Sequence, residues 1–213
     1  MSFKWFLGLA VDEKVPDYSM LSTFRDRLGP ERFAKIFNQI VKIARDHNLV
    51  SDKLHIVDAT DVKAKVDQFR ITEEIQKNKK DTDKKDYQSQ GKYDTPDPDA
   101  RFGRKSRNKK FYGYKEHIRM DAESKIIVEC KTTPGNETDN DQFKDLLSTA
   151  PKPGVITADK AYDSKENHQL LTKKHIRNGI ILRSNHNQFY KYPKRVSKVA
   201  KKYRSLIEHK FAE

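Results

Sequence analysis

Leu54-His55-Ile56-Val57-Asp58-Ala59-Thr60 is a short apolar run bounded by charged residues, and it delivers one carboxylate, Asp58. A run of this length reads as a buried strand. The same pattern returns a hundred residues later, where Val155-Ile156-Thr157-Ala158 delivers Asp159. Taken singly, an acid after a strand is ordinarily a turn residue or a helix N-cap. Taken together, two acids at the ends of two buried strands point to a site, because open α/β sheets bind ligands beyond the carboxyl ends of their strands. Asp is a poor strand former, and a carboxylate is costly to bury unless it is paired or bound to a cation.

Working outward from these runs, the chain of 213 residues is long enough for one sizeable core and a small accessory unit. Charged residues make up 35% of it and the net charge is +13. Mean hydropathy is -0.96 and the isoelectric point about 9.6. Eleven Phe and nine Tyr still supply core material. The basic balance suits a polyanion, most simply nucleic acid. The single cysteine, Cys130, excludes an internal disulfide and a cysteine-rich zinc site, and fits a reducing compartment. No apolar run approaches the roughly eighteen residues of a membrane span, so the expected product is cytoplasmic with no membrane partner.

Residues 1–50 read as an N-terminal helical segment. Leu21, Phe24 and Leu28 recur at helical spacing, Gly29-Pro30 interrupts, and Phe33, Ile36, Phe37, Ile40 and Ala44 form a second stripe. A helix-turn-helix would look like this, but so would almost any helical hairpin, and the segment is read as scaffold. Residues 51–213 form the main domain, with strand one over about 53–58. A long polar insert at about 62–108 follows; between Lys77 and Lys110 there are twelve Lys or Arg against six Asp. A loop of this length is functional or disordered; its basic residues, with Tyr87, Tyr93 and Phe102 interleaved, suit a phosphate backbone. Two antiparallel strands then join through Asp121-Ala122-Glu123-Ser124. They are followed by a helix over 140–147, the Asp159 strand, a helix over 164–174, a strand over 179–182 and a basic final helix over about 197–211. This order predicts a ribonuclease-H-like mixed α/β sheet flanked by helices. In such a sheet carboxylates from separate elements converge on divalent metal, and hard oxygen ligands select Mg²⁺ or Mn²⁺. Two ions about 4 Å apart suit phosphodiester chemistry. Glu208, four residues after Arg204, shares a helix face with it and completes three acids with Asp58 and Asp159.

Several stretches resemble bacterial insertion-sequence transposases of the DDE type, the group with a β-rich insert and a YREK-like signature. They are Phe6-Leu7-Gly8-Leu9, Pro16-Asp17-Tyr18-Ser19, Val57-Asp58-Ala59-Thr60-Asp61-Val62-Lys63-Ala64 and Asp97-Pro98-Asp99-Ala100-Arg101-Phe102-Gly103. Phe111-Tyr112-Gly113-Tyr114-Lys115, Thr133-Pro134-Gly135-Asn136 and Ala158-Asp159-Lys160-Ala161-Tyr162-Asp163-Ser164 continue the likeness. The resemblance implies that Asp58, Asp159 and Glu208 are the catalytic, metal-binding acids, with two Mg²⁺ or Mn²⁺ ions, and that Arg204 is the signature arginine. It implies metal-dependent cleavage and strand transfer of double-stranded DNA, at insertion-sequence ends and in target DNA, in a bacterial, nucleoid-associated setting. A homodimer is a candidate assembly. Lys160, Lys198 and Lys201 are candidates for DNA contact or orientation. The chain departs from the pattern at Lys201, where the family carries Tyr, and at Ala161, where Gly is customary. It ends before the signature lysine, and the family's flanking regions are not represented, so it reads as an internal portion of a transposase. The alternative is a degenerate, inactive remnant that binds DNA non-specifically.

Overall fold

The computed structural model describes residues 17–67, 69–72, 97–106, 109–148 and 151–183, with isolated positions among the first fifteen. The chain divides into two compact units, Met1–His47 and Asn48–Glu213.

In the first unit, α1 spans Tyr18–Asp46. Asp17 caps it, its side chain accepting from the Ser19 amide at 2.8 Å. The helix breaks where the sequence requires: Gly29 takes φ 68° and ψ 167°, and Pro30 restarts the helix as a first-turn residue. Within this unit Leu21, Phe24, Phe33, Ile36 and Ile40 are exposed.

The second unit is built on a six-stranded mixed sheet with helices on one face, a ribonuclease-H-like arrangement. Its elements are β1 (Leu54–Lys63), β2 (Arg101–Ser106), β3 (Lys109–Asp121), β4 (Ile127–Pro134), α2 (Asp139–Leu146), β5 (Val155–Ala158), a 3₁₀ turn (Lys160–Tyr162), α3 (Lys165–Lys173) and β6 (Arg177–Ile180). The strand order is β2-β3-β1-β5-β6, with β4 also on β3. The β1–β5 and β5–β6 pairs are parallel, and β3 is antiparallel to β1, β2 and β4.

Strand alternation sorts the side chains. Val57, Ile156, Ala158 and Ile180 point to the helical side, where they join Phe143, Leu146 and Leu147 around α2 and Leu171 of α3 in one buried cluster. On the opposite face Ile56 packs with Met120, and Ala122 and Ile181 lean against them. Burying side chains of this size contributes about 1.5–3 kcal/mol each.

Two boundaries differ from the sequence reading. β1 does not end at Asp58 but runs on to Lys63, because Ala59–Lys63 pair with Gly113–His117 of β3. Part of the polar insert is a strand: β2 lies along the first half of β3, in register from Arg101↔Gly113 to Ser106↔Lys109.

Four of the motif stretches meet at this corner. A Cβ on Gly103 would strike the Phe111 ring and the Gly135 carbonyl, and one on Gly135 would lie 2.7 Å from the Arg101 carbonyl. Gly113, at φ 156°, is pressed against the Val62 carbonyl. Tyr114 donates to the Asp97 carboxylate, and Tyr112 to the Asp97 carbonyl at 3.2 Å. Ile71, Ala100 and Tyr112 are buried beneath. These motifs therefore hold backbone segments in close approach.

Candidate active site

Asp58 is the fifth residue of β1, opposite Ile118 of β3. On the other side of β1 the last parallel pair with β5 is Val57↔Ala158. Asp159 comes one residue later, directly after the end of β5, so the two acids follow the same last pair of the parallel ladder. Both acids are partly exposed. Each braces one oxygen on the amide that follows it: Asp58 accepts from Ala59 at 2.8 Å and Asp159 from Lys160 at 2.6 Å. Asp159 is also the N-cap of the 3₁₀ turn, in extended backbone geometry.

Oxygen-only donors on neighbouring strands suit a hard divalent cation. Among the described residues, no third His, Cys, Asp or Glu joins them as a metal-binding group. Glu208, Arg204, Lys198 and Lys201 lie outside the described residues. Lys160 is described and exposed, immediately after Asp159.

Several residues around the two acids carry no periodic signal. Lys115 of β3 donates its Nζ to the Asp139 carboxylate at 2.9 Å and to the Glu137 carbonyl at 2.8 Å, fixing the start of α2. Tyr162 is buried against Phe143, ring centroids 5.7 Å apart. Its hydroxyl has no hydrogen-bond partner among the described residues. Burial raises its pKa far above the usual value, and the negative charges of Asp139, Asp58 and Asp159 add to this. The phenol therefore stays protonated within the field of three carboxylates. His117, buried on β3, shares a proton with Thr133 Oγ1 at 2.9 Å, and burial holds its ring toward the neutral form.

Behind the 3₁₀ turn lies a polar chain. Asp163 Oδ1 sits 2.7 Å from His168 Nε2, and Asp163 Oδ2 accepts from the Arg183 amide at 2.7 Å. Asn178 donates to His168 Nδ1. The Asn178 oxygen accepts from the Ile180 amide at 3.0 Å, which fixes the orientation of the side-chain amide. His168 is therefore the tautomer whose Nε2–H donates to Asp163. Arg183 itself donates from Nε to the Lys160 carbonyl at 2.9 Å and from a terminal nitrogen to the Ala161 carbonyl at 3.2 Å. The clue in the sequence was the density of Asp, Tyr and Ser after Asp159; nothing marked Arg183.

Comparisons with known proteins agree with this architecture. A family model described as the transposase DDE domain matches residues 51–213, and a second model, described as a transposase domain, matches residues 1–27. The transposase for insertion sequence element IS1106 of Neisseria meningitidis serogroup B is 37% identical over 92 residues, a stretch covering 43% of this chain and 31% of that protein. No solved structure matches. Among the described residues no helix is long and apolar enough to cross a membrane. With one acid on β1 and another directly after the parallel β5, and a family match spanning the whole of that sheet, the chain belongs to the DDE-domain transposases.

Proposed function

We propose that this chain performs divalent-metal-dependent cleavage and strand transfer of DNA at insertion-sequence ends. The observation that supports the reading is the β1–β5 parallel register, whose last pair, Val57↔Ala158, directly precedes both Asp58 and Asp159. In this reading Asp58 and Asp159 are joined by Glu208, and the three acids hold two Mg²⁺ or Mn²⁺ ions. The bound ions would supply charge neutralisation for a crowded anionic site and for the scissile phosphate.

The reaction has two displacements. A water oxygen attacks the phosphorus at the transposon end, the bond from phosphorus to the 3′ oxygen breaks, and the proton that the water gives up to solvent is matched by one that the leaving 3′ oxygen takes from it. The freed 3′-hydroxyl then attacks a phosphodiester of target DNA, and one phosphorus–oxygen bond replaces another. Arg204 orients Glu208. Lys160, Lys198 and Lys201 contact the DNA backbone, consistent with the net charge of +13. The double-stranded DNA of ends and target is the partner, the working assembly a homodimer, and the setting the cytoplasm.

The test is Mn²⁺ binding by calorimetry on the wild type and on Asp58→Ala, Asp159→Ala and Glu208→Ala, followed by nicking of a DNA duplex carrying an insertion-sequence end. Binding that either Asp substitution abolishes, together with metal-dependent nicking, supports the reading. A folded chain that binds DNA but neither metal nor nicks is the inactive remnant instead.

A further inference from the structure

The turn after Asp159 decides where that carboxylate points. Asp159 Oδ1 is tied to the Lys160 amide at 2.6 Å, so the carboxylate moves with the peptide that follows it. The turn is one 3₁₀ helix of three residues after a four-residue strand. Tyr162 anchors its end in the core, but Lys160 is exposed and Ala161 only partly buried. Ala161 also packs against the core cluster, so it is the start of the turn, at Lys160, that lacks apolar packing.

Arg183 supplies the other hold. It lies two residues beyond Ile181, whose amide donates to the Ala158 carbonyl at 2.9 Å and prolongs the β6–β5 pairing. From there its planar guanidinium reaches two successive carbonyls of the turn, Lys160 and Ala161. Its own backbone amide is fixed on the Asp163 carboxylate, and Asp163 is fixed through His168 to Asn178 of β6. The residue is thus anchored at both ends, by its amide and by its fork.

We propose that Arg183 is a positioning residue for Asp159, setting the turn so that this carboxylate is presented to the divalent cation. The inference rests on the metal-binding reading given above. It names a residue outside the acid triad and outside the signature around Glu208.

The electrostatic sign separates this role from a simple charge effect. A cation beside an acidic pair weakens the binding of another cation, so removing Arg183 by charge alone should strengthen Mn²⁺ binding. Loss of an outer partner that orients a ligand weakens it, typically 10–100-fold. The two roles predict opposite signs.

The experiment is Mn²⁺ calorimetry on the full chain, comparing wild type, Arg183→Gln, Arg183→Lys and Asp159→Ala, with thermal unfolding of each and the salt dependence of DNA binding. We expect Arg183→Gln to bind Mn²⁺ about 10–100-fold more weakly. Arg183→Lys, which keeps the charge but has no planar fork, should remain closer to the Gln variant than to the wild type. Arg183 is exposed, so both variants should fold.

Unchanged or tighter Mn²⁺ binding in Arg183→Gln overturns the proposal, whether the melting temperature falls or not. So does a fall of about 1 in the salt slope with Mn²⁺ binding intact, which would make Arg183 a phosphate contact. Full rescue by Arg183→Lys also overturns it, because a single ammonium would then serve and the fork that spans the two carbonyls would not be what sets the turn. If the wild type binds no Mn²⁺, or Asp159→Ala binds as well as wild type, the metal-binding reading itself falls and this inference with it.

Discussion

Replacing Tyr162 with Phe should stabilise the protein. The hydroxyl is buried with no partner among the described residues, while the ring packs on Phe143 in the main cluster. A buried hydroxyl left without a hydrogen bond costs about 1–3 kcal/mol. Phenylalanine keeps the ring and removes the cost, so Tyr162→Phe should gain about 1 kcal/mol. That corresponds to about 2–4 °C in melting temperature for a domain of this size. Tyr162→Ala removes the ring as well and should lose about 3–5 kcal/mol.

Alkaline unfolding gives an independent check on the same group. The native hydroxyl holds its proton well above the ordinary value of 10.0, chiefly through burial and then through the three carboxylates. A group whose native value is raised stabilises fully below its unfolded value, and that stability is lost as pH rises. Above pH 10 the unfolded chain releases a proton that the native chain keeps, so stability should fall by about 1.4 kcal/mol per pH unit from this residue. Tyr162→Phe should remove that one-proton slope; Tyr114, pushed up to about 12, keeps its own. Urea denaturation of the two proteins between neutral pH and pH 11 reads both effects. A Tyr162→Phe protein less stable than wild type by 1 kcal/mol or more would refute the reasoning, because the hydroxyl would then have a partner worth keeping.

Two further outcomes follow from the same accounting of buried groups. Gly103→Ala should cost about 1–3 kcal/mol in urea denaturation, because its Cβ would meet the Phe111 ring and the Gly135 carbonyl, and backbone cannot give way as a surface side chain would. Burial pushes the Asp121 carboxyl up, but hydrogen bonds from Ser124 and Ser51 and the His55 charge outweigh it and hold it below 3.8; its stabilisation is present above that value and lost as pH falls through the native one, so Asp121→Asn should flatten the acid limb of a stability–pH curve.

The parts of the fold that were legible in the sequence are those with a local cause. The apolar runs at Leu54–Val57 and Val155–Ala158 become neighbouring parallel strands. The aromatic stretch before Asp121 and the run after it become the β3–β4 pair, and Ser164 caps α3 through the Asn167 amide at 3.2 Å. What could not be read has a non-local cause. Arg101–Ser106 is mostly charged, and it is a strand only because β3 offers it a ladder. Asp58 ought to stop a strand, yet the pairing of Ala59–Lys63 with β3 carries the strand through it. That Asp58 and Asp159 directly follow a paired position of the two strands was legible, since each comes after an apolar run of the same kind. Arg183 was not, because one arginine after an apolar stretch resembles every other solvated one, and its two carbonyl partners lie more than twenty residues earlier.

The stretches that carry the family resemblance therefore divide by physical task. The glycines 103, 113 and 135 meet where β1 ends at Lys63, five residues or about 16 Å along the strand from Asp58. What they preserve is the close approach of four backbone segments, and their substitution should register first in stability. The block from Ala158 to Ser164 is different. Ala158 pairs with Val57, Asp159 caps the turn, Lys160 and Ala161 lend their carbonyls to Arg183, Tyr162 fills the core, Asp163 anchors His168 and Ser164 starts α3. Lys160, Ala161 and Asp163 share Arg183 as a partner and the others have partners of their own, but all of them fix the same short turn. Such a block tolerates little change even at residues remote from chemistry, because each supplies a constraint that its neighbours cannot. The orientation of a single carboxylate is thus distributed over the strand, the turn, the helix start and one arginine from the next strand.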